Sequence, residues 1–409
     1  MKPRLFRLGT LWLILLLFAL PAGVQAQSES GRAAIEMEAN GPLTPAMAGY
    51  IERGLTNAVE RQAEVVILRL NTPGGSIDLM NAIIQDLRAS PIPVIVYVAP
   101  RGAIAGSAGT LITLAGHKAA MAPETAIGAA SPVGAQGEDI GETMEAKVTE
   151  IMKASARSLA ETRGPEAVRL AEETIENARA VSASEALDAG LIDYVATSTE
   201  DLLQQLDGTT ALVDGREVTL RTTGLVVEPV ESSFVEQLLQ FLTNPNLVLL
   251  LLAIGVQAIL IELSSPGGWV AGFIGVVSLL LAIYGLGVLP VNWFGILFLV
   301  LAFALFVLEL KTATFGALTT AGVASFIAGA LILFNSVRVP GIPRVSIPLV
   351  IGMALFFAAT STVVLGFVMR AMRRPPSMGK QVLVGRTGTV RESLDPVGSV
   401  QVAGELWTA

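Results

Sequence analysis

Hydrophobic and polar positions divide this chain into stretches of different period. Residues 11–20 are an unbroken apolar run, preceded by Lys2, Arg4 and Arg7 and followed by Pro21 and the small-residue pattern Val24-Gln25-Ala26. This is the layout of a secretory signal cleaved after Ala26. The run is shorter than the ~20 residues of a bilayer span, which weighs against an uncleaved anchor. From 27 to about 205, β-branched apolar segments alternate with amphipathic ones. The pattern predicts strands at 33–38, 64–70, 93–98 and 191–196, and helices at 45–61, 77–89, 142–162, from Pro165, and at 182–189. Thr44-Pro45 reads as an N-cap followed by a first-turn proline. Such alternation implies crossover units and a largely parallel sheet, the α/β class. The Gly-rich stretch 128–141, with Glu138 and Asp139, lacks periodicity and reads as a mobile loop. Residues 209–230 read as a β-hairpin turning at Asp214-Gly215.

Five longer apolar stretches follow, at about 246–261, 269–289, 292–309, 314–334 and 347–369, each near or above bilayer length. An exported N-terminal domain followed by five spans places the C-terminus in the cytoplasm. Arg370, Arg373 and Arg374 close the last span, as the positive-inside rule requires. The region also repeats: Ile261-Glu-Leu263 with Gly275 and Ser278 recurs 47 residues on as Leu308-Glu-Leu310 with Gly322 and Ser325. Two spans per unit in the same sense make a parallel repeat. Glu262 and Glu309 fall at span ends and are expected in the interfacial zone rather than in an ion site. After Pro375-Pro376 the chain carries signs of two or three short strands, too few to bury a barrel core, so a partial β domain is expected at 375–409.

Composition narrows the chemistry. A net charge of −8 argues against a nucleic-acid binder. Without cysteine there is no thiol nucleophile, disulfide framework or thiolate metal site. No ligand cluster or phosphate loop is present, so no metal or nucleotide cofactor is expected. What remains is Ser107, in Gly102-Ala-Ile-Ala-Gly-Ser-Ala-Gly109, at the start of a helix continuing through Leu114. Small neighbours admit a substrate carbonyl, and the helix N-terminus offers N–H groups to an oxyanion. The sole histidine, His117, lies ten residues on, about 15 Å of helical rise, whereas a general base must reach within approximately 3 Å. A Ser-His-Asp triad is thereby nearly excluded. The lysines available are Lys118, Lys147 and Lys153, and Lys118 shares the fault of His117. A second motif, Asn71-Thr-Pro-Gly-Gly-Ser76, follows the strand at 64–70, at the sheet edge where parallel folds bind ligands.

Thr72-Pro-Gly-Gly75, Ala105-Gly-Ser-Ala-Gly109 and Met121-Ala-Pro123 together resemble the ClpP-like serine proteases. With the signal sequence, the membrane spans and the trailing β segment, the whole chain resembles the long-form NfeD proteins, the membrane-bound partners of stomatin-like proteins. The resemblance implies a ClpP/crotonase-like ββα spiral at 27–230, a membrane domain of five transmembrane helices at 231–374 and an OB-like β domain at 375–409. It also implies a Ser-Lys dyad and an oxyanion hole from the N–H groups of Gly75 or Gly74 and of Ala108. The family's lysine lies about forty residues past the serine, on a helix running to Ser-Leu-Ala. Lys147 is forty after Ser107 and eleven before Ser158-Leu-Ala160, so the resemblance implies Lys147. A lysine at its ordinary pKa of ~10.4 is protonated at neutral pH, so burial is expected to depress it. The implied activity is that of a serine endopeptidase acting on hydrophobic segments of a stomatin-like partner, in membrane protein quality control. Membrane lipid and a second copy of the chain are the other partners implied. Two further readings are acyl-CoA chemistry of the crotonase type, against which the export signal stands, and a catalytically silent membrane scaffold.

Overall fold

The computed structural model describes residues 33–134, 141–264, 269–312, 314, 316–335, 343–372 and 385–409. The signal segment 1–26, Glu138, Asp139, Arg373 and Arg374 lie outside the described residues. In chain order the first domain contains β1 (Ala33–Asn40), α1 (Pro45–Glu60), β2 (Val65–Asn71), α2 (Ile77–Ala89), β3 (Val94–Val98), β4 (Ile104–Gly106), α3 (Ala108–Ala115), β5 (Lys118–Met121) and β6 (Ala126–Gly128). It continues with α4 (Glu142–Ala160), α5 (Pro165–Glu176), β7 (Ala180–Ser182), α6 (Ala183–Asp188), β8 (Tyr194–Val195), α7 (Thr199–Leu206), β9 (Thr210–Val213), β10 (Arg216–Thr219) and β11 (Val226–Pro229).

Six strands form a sheet in the order β11-β1-β2-β3-β5-β8, parallel at every pairing. β2 and β3 are central and read as continuous apolar runs because both faces are covered. The two-residue period divides them: Val66, Leu68 and Leu70 join the core with α1, α2 and α3, while Val65 and Ile67 meet Leu202, Leu203 and Leu206 of α7. A smaller sheet, β4-β6-β7, stands beside the first. The main strands β3 and β5 each lead to a short strand of the second sheet and then to a helix, giving β3-β4-α3 and β5-β6-α4. This repeated unit is the ββα spiral expected from the resemblance.

Thr44 caps α1 through Met47 N–H, as expected. The expected strand at 191–196 shrinks to Tyr194–Val195, because the N–H groups of Leu191 and Ile192 turn back to the carbonyl of Ala186 at the end of α6. The hairpin expected over 209–230 ends at Thr219. β9 and β10 pair around Asp214-Gly215, but β11 leaves them to run parallel to β1 as an edge strand. A short helix not anticipated from the sequence, α8 (Phe234–Phe241), then precedes the apolar region.

That region contains α9 (Pro245–Ser264), α10 (Val270–Val288), α11 (Trp293–Lys311), α12 (Ala317–Asn335) and α13 (Ile347–Met372). Among the described residues three helices are long and apolar enough to cross a membrane, at Pro245–Glu262, Val270–Val288 and Ala317–Asn335; Trp293–Glu309 and Ile347–Val363 are shorter apolar helices. The 47-residue repeat has a structural counterpart. Glu262 accepts hydrogen bonds from the N–H groups of Trp269 (3.0 Å) and Gly272 (3.3 Å), at the start of the next helix. Glu309 accepts from Gly316 (3.0 Å) and Thr319 (2.9 Å), at the same offsets of seven and ten. Each carboxylate therefore closes a two-helix unit by satisfying N–H groups that a helix start leaves open. After this bundle, β12 (Thr389–Glu392), β13 (Ser399–Val402) and β14 (Glu405–Thr408) form an antiparallel sheet, the extent of the β domain among the described residues.

Candidate active site

The two motifs meet at the C-terminal edge of β2 and β3. β2 does not stop cleanly at Asn71: Thr72 forms a parallel bridge with Ala105. Its N–H donates to the carbonyl of Ile104 (2.8 Å), and Gly106 N–H donates to the carbonyl of Thr72 (2.9 Å). The Asn71 side chain fastens the same edge, donating to Asn40 Oδ1 and accepting from the Ile104 N–H, both at 3.0 Å. This zipper carries Gly74 against Ser107. A Cβ on Gly74 would lie 2.7 Å from Ser107 Cβ and 3.1 Å from its Oγ, and φ at Gly74 is +112°. Only glycine combines that approach with that backbone.

Ser107 itself sits at φ 53°, ψ −120°, a region that L-residues avoid at a cost of order 1–3 kcal/mol. Its surroundings impose it. Ser107 N–H donates to the Gly128 carbonyl (2.9 Å), and the buried Thr110 hydroxyl spans that same carbonyl (3.1 Å) and the carbonyl of Ala105 (3.0 Å). Gly128 is in turn wedged beneath Arg179, whose carbonyl leaves no room for a side chain. Ser107 occupies the N-cap position of α3, yet its side chain makes no capping hydrogen bond. Among the described residues the hydroxyl makes no hydrogen bond.

The candidate oxyanion donors separate. Gly74 N–H donates to Thr72 Oγ1 at 3.0 Å, so it is already engaged, which corrects its inclusion among the expected donors. Among the described residues the N–H groups of Gly75 and of Ala108 donate to none; Ala108 opens α3, where such groups are open by construction.

The bases also separate. His117 Nδ1 accepts a hydrogen bond from Val94 N–H (3.0 Å), and the His117 backbone N–H donates to the Val94 carbonyl (2.8 Å). It therefore stands at the opposite end of β3 from Ser107, and burial lowers its pKa to about 4. Lys118 pairs with Asp193 at 3.2 Å. Lys153 pairs with Glu176 (3.2 Å) and Glu150 (3.4 Å), and the hydrogen bond to Glu176 raises its pKa, the wrong direction for a base. Lys147 alone of the three makes no ion pair or hydrogen bond to a described residue. It is exposed on α4, one position before Val148, which starts the inward stripe continued by Met152, Ala156 and Ala160. The expectation of a buried lysine is thus not met in the single chain, and the structure does not bring Lys147 into hydrogen-bond contact with Ser107. Sequence reasoning missed Thr72 and Thr110 as the supports of the site. The available signal was position: Thr72 lies inside the glycine motif and Thr110 directly follows the serine motif.

Models of two domains match the chain: the NfeD1b N-terminal domain over residues 40–215 and the NfeD integral membrane domain over residues 246–368. The chain is also 38% identical over 378 residues to the membrane-bound protease PH1510 of Pyrococcus horikoshii, covering 90% of this chain and 85% of that one. The chain belongs to the NfeD family. A second NfeD relative, membrane protein NfeD1b of Bacillus subtilis, is 28% identical over 250 residues, covering 58% of this chain and 53% of its own length. Among solved structures, a lysine-to-alanine variant of the 1510-N membrane-bound stomatin-specific protease, in complex with a substrate peptide, is 34% identical. It covers 52% of this chain and 98% of its own, with a TM-score of 0.49. This NfeD chain is an integral membrane protein with an α/β domain preceding the helical membrane domain.

Proposed function

We propose that this NfeD chain is a membrane-anchored serine endopeptidase in which Ser107 is the nucleophile and Lys147 the general base. The observation that carries the reading is Ser107 itself: its strained backbone, and a hydroxyl and Gly75 and Ala108 N–H groups that make no hydrogen bond among the described residues. A catalytic hydroxyl needs that combination, whereas a serine that merely starts a helix would cap it. Ser107 Oγ attacks the scissile carbonyl and forms an acyl-enzyme as Lys147 takes its proton. The Gly75 and Ala108 N–H groups hold the tetrahedral oxyanion, and Lys147 returns the proton to the leaving amine.

Lys147 must lose water to act at neutral pH. Met144 and Ile151 flank it at i−3 and i+4 and are exposed, so whatever covers this face of α4 dries the lysine. We assign that role to a hydrophobic substrate segment or a second copy of the chain. By kinship with the stomatin-specific relative, the substrate is a segment of a stomatin-like membrane protein, and the role is quality control. The protease domain is assigned to the exported side of five spans and an OB-like C-terminal domain to the cytoplasm.

The exposure of Lys147 favours a second reading, a silent scaffold that binds partners through the same domains. A fluorophosphonate probe applied to the full chain in lipid separates the two. Labelling of Ser107, lost in Ser107→Ala and weakened in Lys147→Ala, is expected of the protease. A folded wild type that never labels belongs to the scaffold.

A further inference from the structure

α8 joins the protease-like domain to the first membrane helix, and its two faces differ. At 100° per residue, Phe234, Val235, Leu238, Leu239, Phe241 and Leu242 occupy one continuous arc, and Glu236, Gln237 and Gln240 the other. Two residues of the polar arc, Glu236 and Gln240, are turned toward the domain, and the third, Gln237, is exposed. Glu236 takes a fork of two hydrogen bonds from Arg53 of α1 (2.8 and 2.6 Å), Thr44 Oγ1 donates to Gln240 Oε1 (3.2 Å), and Gln237 donates to the Ser232 carbonyl (2.8 Å). Tyr50 donates to the Val230 carbonyl (2.8 Å) and pins the strand leading into the helix. The apolar arc points away from the domain: Phe234 is 78% exposed, Val235 60% and Phe241 61%. A water-facing helix would have the opposite arrangement.

We propose that α8 lies in the membrane interface, with Phe234, Val235, Leu238 and Phe241 sunk into the lipid at the boundary of headgroups and acyl chains. The Arg53–Glu236 fork then fixes the height and tilt of the protease-like domain above the bilayer. Lipid is the occupant because of continuity. Leu242 is buried, and Pro245, three residues later, opens the first candidate span. Three residues reach at most about 10 Å, so α8 cannot leave the surface where α9 begins. Helices of this kind bury one apolar face about 5–10 Å deep in the interface. Asn246 bonds Ser346 N–H (2.7 Å) and the Arg344 carbonyl (3.3 Å), tying the starts of α9 and α13 together and placing a second helix start at the same surface. The inference does not depend on the protease reading.

The chain has no cysteine, so single cysteines can be placed without other change. Phe234→Cys, Val235→Cys, Phe241→Cys and Gln237→Cys in the full chain would each carry a nitroxide and be reconstituted into phosphatidylcholine–phosphatidylglycerol vesicles. Collision with oxygen and with a water-soluble nickel chelate would then be measured. Labels at 234, 235 and 241 are expected to collide with oxygen several-fold more than with the chelate, and the label at 237 to show the reverse. Equal chelate access at all four positions overturns the proposal. So does shielding at 234, 235 and 241 that persists in detergent with dipolar coupling between copies, which would make a second chain the occupant.

Discussion

Gly74 stands so close to Ser107 that a single added methyl would fall 2.7 Å from the serine Cβ. Gly74→Ala must therefore displace Ser107 or the loop bearing it, besides forcing alanine to φ +112°. We expect a loss of about 1–3 kcal/mol in stability and a fall in activity of roughly a hundredfold, as small misplacements of a nucleophile cause. Gly102→Ala is the control. Its φ is also positive, +81°, but its Cβ meets nothing within 4 Å, so activity should persist at a modest stability cost. Denaturation midpoints and serine labelling of both variants check this.

His117 predicts a pH dependence of stability. Its folded pKa is about 4, against roughly 6.5 in the unfolded chain. Between those values the unfolded chain binds a proton that the folded chain refuses, so stability falls as pH drops through this window and is unaffected by His117 above it. With allowance for its partial exposure, the loss down to pH 4.5 is about 2 kcal/mol. In His117→Asn, Oδ1 can accept the Val94 N–H without titrating. The variant should trail the wild type at pH 7.5 and close that gap at pH 4.5 in chemical denaturation.

The paired glutamates of the membrane repeat are expected to differ in weight. Glu309 is 3% exposed, whereas Glu262 is half-buried. Glu309→Ala leaves the Gly316 and Thr319 N–H groups without their acceptor in an apolar setting and should cost about 1–3 kcal/mol. Glu262→Ala should cost less, since water can replace the carboxylate. Glu309→Gln, which keeps one acceptor oxygen, should fall between wild type and Glu309→Ala in thermal unfolding in nanodiscs.

Much of this was legible in the sequence where local rules decide. Thr44-Pro45 marked a helix start, Val65 to Leu70 a doubly covered strand, and the 47-residue repeat two related helix pairs. The departures have nonlocal causes. β11 joins β1, nearly two hundred residues earlier, and no local pattern distinguishes that edge from a hairpin arm. α8 was hidden because its apolar face lies outward, so its period resembles the approach to a span. Within the site, Ser107 and the glycine motif stood out by composition, but the engagement of Gly74 N–H by Thr72 and the role of Thr110 depend on a zipper between two loops that spacing does not encode. The burial expected of Lys147 followed from the chemistry of a neutral base, and among the described residues of the single chain the lysine stays exposed on α4.

The central claim is that Ser107 and Lys147 form one catalytic unit. The direct measurement is hydrolysis of a hydrophobic fluorogenic peptide by the full chain in lipid, comparing wild type with Ser107→Ala, Lys147→Ala and Lys153→Ala across pH. Activity that vanishes in the first two variants, survives in the third and rises with pH in the wild type is the expected result. Hydrolysis that persists in Lys147→Ala would contradict the dyad and move the base elsewhere.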